Sequence, residues 1–369
     1  MNTVFDYLDW RGDLNLRAHP FNPVDNLILS VLSYIPFDGI LVPGGQKTGM
    51  PLAEAARQFA SNKMNDHAIR AAEDVQLLER LALSPRYSSM TVCNYVHSTD
   101  YALEKQFAAL TILTGDRHIF VSFRGTDLSL IGWKEDFNMS FRTPVPAQEA
   151  ARDYLEETAR LVSGKMRVGG HSKGGNLAVY AAAHVSPRIQ KRIHSVYTND
   201  GPGFSPVVIE SAGYRAIRGR IYSFIPESSI IGMLLEHDED YTVVQSSQRG
   251  LLQHDPYSWE TRANDFVRLH NVDSSSRFID RTIRDWLRKL DIDKREIFFG
   301  AFYEVVSATG ASTIHELTAD WLKSAKAIAK GLVKLESSDR TVLLDGLGIL
   351  AHAAGKEIGH SLNRKTRRR

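Results

Sequence analysis

"VGGHSKGGNLAVYAAA", residues 168–183, sets one serine, Ser172, between Gly170 and Gly174 and then runs on into small and apolar residues. The run before the serine reads as the end of a strand, and the residues from Lys173 onward read as a helix. A serine at such a strand-to-helix turn is forced into strained backbone geometry, and glycines two residues either side remove side chains that would clash. The strain lifts the hydroxyl above the sheet, beside a helix N-terminus whose amides favour developing negative charge. G-x-S-x-G in this setting points to a nucleophile. The competing reading is a glycine-rich turn with a bystander serine.

The flanks of this stretch set the fold class. "YLEETARLV", "MRVGGHS", "NLAVYAAAHV", "IHSVYTND", "SPVVIESAGY" and "RIYSFIP" alternate helical and strand-like patterns between residues 150 and 260. That alternation predicts an α/β protein with a mostly parallel sheet flanked by helices. Upstream, "MTVCNYVHS", "KQFAALTILTG" and "RHIFVSFRG" read as strands, with "LTGDRH" as a hairpin turn. Residues 1–88 read as a helical N-terminal extension packed on the core: Val24, Leu27, Ile28, Val31 and Leu32 share one helical face after a cap near Asn22, and Leu77, Leu78 and Leu81 mark a further helix. The core is expected over residues 89–265. A helical C-terminal extension with a basic tail is expected over 266–369, with one stripe at Phe278, Ile279, Ile283, Trp286, Leu287 and Leu290 and another at Ile297, Phe298, Ala301, Phe302 and Val305.

Composition narrows the function classes. The 369 residues are 43% hydrophobic and 24% charged, an ordinary globular balance. The net charge of +2 resides in the last six residues, "RKTRRR"; without them 40 basic groups face 43 acidic ones. A nearly neutral body carries no electrostatic footprint for nucleic acid; the tail is expected to be a solvated, disordered terminus, with peripheral contact to an anionic lipid membrane or RNA as the alternative. Cys93 is the single cysteine, so neither an internal disulfide nor a cysteine-based zinc site is available. The opening "MNTVFDYLDWRGDL" lacks the basic and apolar regions of a secretory signal, and no stretch of 18 apolar residues appears. A cytoplasmic location is the expectation.

A second segment, "FVSFRGTDLSLIGWKEDF" at 120–137, ends a strand 46 residues before the serine, counted from Thr126. Arg124-Gly125-Thr126, then Trp133 and Asp136, then Gly170-His171-Ser172-Lys173-Gly174-Gly175 together resemble the class 3 lipases of the α/β-hydrolase superfamily. The resemblance spans roughly residues 90–260, and the whole chain also resembles a bacterial family of unknown function within that superfamily. It implies an α/β-hydrolase fold with helical extensions at both ends. It further implies an oxyanion hole formed by the amides of Thr126 and Lys173, with Arg124 as an ion-pairing residue of its turn. Two fixed donors of this kind contribute about 3–4 kcal/mol each to a tetrahedral oxyanion.

The base should follow the last strands. His254 in "LLQHDPYSW" lies 82 residues after Ser172, and the resemblance places a catalytic histidine on such a loop near a tryptophan. His237 in "LLEHDEDY" competes, but its acidic neighbours suggest a solvated loop. His171 is expected to pack beneath the turn. The acid is less direct, because the column of the class 3 aspartate falls on Ser229. Glu227 is close by, and Asp200 in "YTNDGPGF" ends the earlier strand, as in the pancreatic-type lipases. Asp200 is favoured over Glu227, with a plain turn role as its alternative. The expectation is therefore a serine hydrolase of an acyl ester, lipid-like, working through Ser172, His254 and Asp200 without metal or cofactor. A thioesterase or a catalytically inactive hydrolase-fold binding module would preserve the same residues. A nucleotide-binding role lacks the required phosphate-loop order.

Overall fold

The computed structural model describes residues 1–42, 49–62, 68–127, 129–272, 282, 286, 287, 289–310 and 321–349. The N-terminal region carries four helices, α1 (Val4–Arg11), α2 (Pro23–Val31), α3 (Leu52–Ser61) and α4 (Ala72–Leu83), with one short strand before α3. The start of α2 is written locally. The Asn22 side chain accepts from the amides of Val24 and Asp25, Asp25 returns a bond to the Asn22 amide, and Pro23 supplies a first-turn residue with no amide to satisfy.

Among the described residues nine strands form one sheet, in the order β1 (Gly49–Pro51), β2 (Thr91–Asp100), β3 (Lys105–Leu113), β4 (His118–Phe123), β5 (Lys165–His171), β6 (Ile193–Asn199), β7 (Ile221–Pro226), β8 (Tyr241–Val244) and a final short strand, Arg268–Leu269. The expected hairpin joins β3 and β4, with Leu113 opposite Ile119. From β4 to β8 every pairing is parallel. The crossovers include α5 (Leu130–Asn138) and α6 (Pro146–Leu161) before β5, and α7 (Lys173–His184) after it.

Strand alternation explains why both sheet faces are covered. Leu110, Ile112 and Phe120 join a core with residues of α1, α2 and α4, whereas Ala109, Ile119, Val121 and Phe123 join one with α6 and α7. A mostly parallel sheet buried on both faces, with the serine turn between β5 and α7, is an α/β-hydrolase fold.

The chain divides into two compact units. The first comprises residues 1–100, 106–127 and 146–272, so the N-terminal helices belong to the same unit as the sheet. The second combines residues 101–105, 128–145 and 273–369. In that second unit, the helix Ile292–Ser307 packs against α5: Phe137 stacks on Phe299 at 4.7 Å, and the Lys134 ammonium lies over the Tyr303 ring at 4.4 Å. Its buried face differs in part from the expected stripe. Phe298, Ala301 and Val305 are buried as anticipated, but Phe299 and Val306 join them while Ile297 and Phe302 remain about 40% exposed. The face is centred slightly differently because Trp286, Phe298 and Phe299 pack edge-on to one another. Phe278, Ile279, Ile283 and the basic tail lie outside the described residues. No helix among the described residues is long and apolar enough to cross a membrane.

Candidate active site

The turn after β5 places Ser172 at φ +59° and ψ −134°, directly before the first residue of α7. Few non-glycine residues hold such a conformation. The flanking glycines are required by proximity. A Cβ at Gly170 would stand 2.3 Å from the Gly174 carbonyl, and one at Gly174 would stand 2.1 Å from the Phe123 carbonyl oxygen of β4. Backbone from two strands and a helix therefore converges on the serine. Its amide donates to the Asn199 carbonyl at 2.9 Å. The Asn199 side chain in turn donates to the Gly170 carbonyl at 3.0 Å and accepts from Asn26 of α2 at 2.8 Å.

The structure brings Ser172, His254 and Asp200 together, in that spatial order. The Ser172 hydroxyl lies 2.9 Å from His254 Nε2, and His254 Nδ1 lies 2.6 Å from Asp200 Oδ2. With Nδ1–H donating to the carboxylate, Nε2 is left as the acceptor for the serine proton. Asp200 follows β6 at φ +52°, its amide bound to the Phe224 carbonyl of β7 at 2.7 Å. The His254 side chain is 28% exposed while that of Asp200 is 1% exposed, so solvent approaches from the imidazole side. Glu227 is placed elsewhere: its Oε1 accepts from Gln253, not from His254.

His171 lies beneath the turn. Its Nε2 contacts the backbone carbonyl of His254 at 2.8 Å, and its Nδ1 contacts the Tyr34 hydroxyl at 3.1 Å. A carbonyl only accepts, so Nε2 carries the proton and Nδ1 receives the tyrosine's. Burial, reinforced by the nearby Arg70 guanidinium, pushes the His171 imidazole well below the ordinary histidine range. A neutral His171 thus holds the backbone of His254. Neither its link to Tyr34, 137 residues away, nor its bond to the loop 83 residues on has a local sequence signal.

The Arg124–Thr126 turn passes beside the serine. A Cβ on Gly125 would lie 3.1 Å from that of Ser172 and 2.5 Å from the His171 carbonyl oxygen, which explains the glycine. Arg124 pairs with Asp127 at 3.3 Å. Lys173, the first residue of α7, is buried, and its ammonium donates to the main-chain and side-chain oxygens of Gln106 at 3.0 and 2.9 Å. Its amide lies in the first turn of α7, where the helix dipole favours a negative charge. The loop of His237 is solvated at Glu236, Asp238 and Asp240, but the His237 ring turns inward. It is largely buried and bonds Glu239 at 3.0 Å, which with the Tyr214 hydroxyl holds that carboxyl at about 2 against the opposing effect of burial.

A family model described as Mbeg1-like matches residues 81–304. No curated protein matches the sequence. Among solved structures, similar chains include a fungal lipase (14% identity, covering 67% of this chain and 84% of that one, TM-score 0.40). Others are the Rhizomucor miehei lipase propeptide complex (16%, 69% and 74%, TM-score 0.36) and a lipase from Rhizopus microsporus var. chinensis (14%, 65% and 79%, TM-score 0.34).

Proposed function

The chain belongs to the Mbeg1-like family, and we propose that it is a serine hydrolase cleaving an acyl ester of a lipid-like substrate. The observation that carries this reading is the continuous hydrogen-bonded run from the Ser172 hydroxyl through His254 to Asp200. His254 takes the serine proton as Oγ attacks the ester carbonyl, and Asp200 holds the imidazole and offsets its positive charge. The amides of Lys173 and Thr126 receive the oxyanion. His254 then returns the proton to the leaving alcohol, an acyl-enzyme remains, and a water activated by the same imidazole hydrolyses it. The motif resemblance to class 3 lipases supports the ester and lipid part of the reading, and the strained φ of Ser172 supports its role as a nucleophile elbow.

A thioester would be cleaved by the same groups, so the substrate class needs its own test. The experiment is turnover of p-nitrophenyl esters of graded acyl length, a thioester and phospholipid vesicles, with Ser172→Ala as the blank. Ester turnover that rises with acyl length and vanishes in the blank is expected. Equal release by wild type and blank on every substrate contradicts the proposal.

A further inference from the structure

Asp200 is completely buried, and a buried carboxylate must replace the hydrogen bonds that water would give it. Its Oδ2 is occupied by His254. Its Oδ1 receives two donors from the segment after β7: the Ser229 hydroxyl at 2.5 Å and the Gly232 amide at 3.1 Å. That segment is folded around the carboxylate. Ser229 is itself fully buried, its amide closes a turn on the Pro226 carbonyl, and Ile231–Met233 form a short 3-10 turn that carries the Gly232 amide. A Cβ on Gly232 would stand 2.3 Å from Asp200 Oδ1 and 2.9 Å from the Ser229 hydroxyl, so the approach excludes any side chain at that position.

We propose that Ser229 is a positioning residue of the site, fixing through its hydroxyl the carboxylate that orients His254. This rests on the serine-hydrolase reading. The torsion that swings an aspartate carboxylate is broad and soft, so one bond at Oδ2 does not set the plane of the group. Two donors converging on Oδ1 set it, and Oδ2 then faces His254 Nδ1. The Ser229 hydroxyl bond goes to Asp200 Oδ1, the oxygen turned away from His254. Its removal should act through Asp200 on the rate of the bond-forming step and leave the binding of a reagent unchanged.

The test measures covalent labelling of the full chain by a fluorophosphonate, separating the limiting rate from the half-saturating concentration. Ser229→Ala is expected to lower the limiting rate about tenfold, as for a lost hydrogen bond to a charged group, with half-saturation within about twofold of wild type. Ser229→Cys, of similar shape with a weaker donor, is expected to fall between the two. A folded Ser229→Ala that labels at the wild-type limiting rate overturns the inference, as does a cysteine variant slower than the alanine one. Should the alanine variant fail to fold, the cysteine variant decides: a lowered limiting rate supports the role and an unchanged one overturns it. A wild type that does not label at all defeats the parent reading instead, so the two failures are told apart.

Discussion

Asp200 and Glu227 lie at the ends of neighbouring strands, yet only Asp200 reaches His254, at 2.6 Å. An aspartate in that position sets the tautomer of the imidazole and offsets its charge. Asp200→Asn should therefore lower ester turnover on the order of 10⁴-fold, while Glu227→Gln should leave it within a few-fold. The reverse order of effects, measured as kcat on one p-nitrophenyl ester, contradicts the assignment. His171 offers a pH-dependent check on stability. Burial holds its imidazole neutral in the folded chain. Above about pH 6.5 the unfolded chain is neutral there too, and the contribution is whole. As pH falls below that value the unfolded chain takes up a proton that the folded one refuses, and stability drains toward the depressed native value. The thermal midpoint should fall more steeply between pH 7 and pH 5 in wild type than in His171→Gln; parallel slopes contradict this account.

At the scale of elements, the legible parts were those written in short-range pattern. The α2 cap at Asn22, the β3–β4 hairpin and the strand–turn–helix around Ser172 each depend on residues within a few positions of one another. The site drew on longer links. Chain order and local motif brought Ser172, His254 and Asp200 forward as candidates. The bond from Ser229 to Asp200, 29 residues away, and the run from the Tyr34 hydroxyl through His171 to the His254 carbonyl arise only when the elements pack. The acidic neighbours of His237 are solvated as their sequence suggests, but the pairing of its own ring with Glu239 had no such signal. The helix Ile292–Ser307 shows the same limit, since several apolar registers fit a helix so rich in apolar residues. Its contacts with α5 carry a prediction. Phe137 stacks on Phe299, and Phe141 lies 6.2 Å from the same ring. Truncation after residue 270 removes that partner, at about 3 kcal/mol for each large aromatic left bare. The truncated chain should be insoluble or unfolded; a soluble product that turns over short esters faster than the full chain contradicts this.

Across the whole molecule, a sheet covered on both faces leaves one rim where β4, β5 and β6 end together, and the serine turn, the Arg124–Thr126 turn and Asp200 all follow those strand ends. Ligands gather at such carboxyl ends in α/β sheets. The N-terminal helices form part of the same unit: Asn26 supports β5 through Asn199, and the Asn2 carbonyl accepts from the amide of Thr261, seven residues past His254. On the proposed function, this arrangement makes one serine nucleophilic among all those in the chain. Intact-mass spectrometry after exposure to a fluorophosphonate tests it most directly. The account predicts a single adduct per wild-type chain, located to the peptide carrying Ser172, and none on an equally folded Ser172→Ala. A folded wild type that gains no mass, or a Ser172→Ala variant that gains the same adduct, would contradict it.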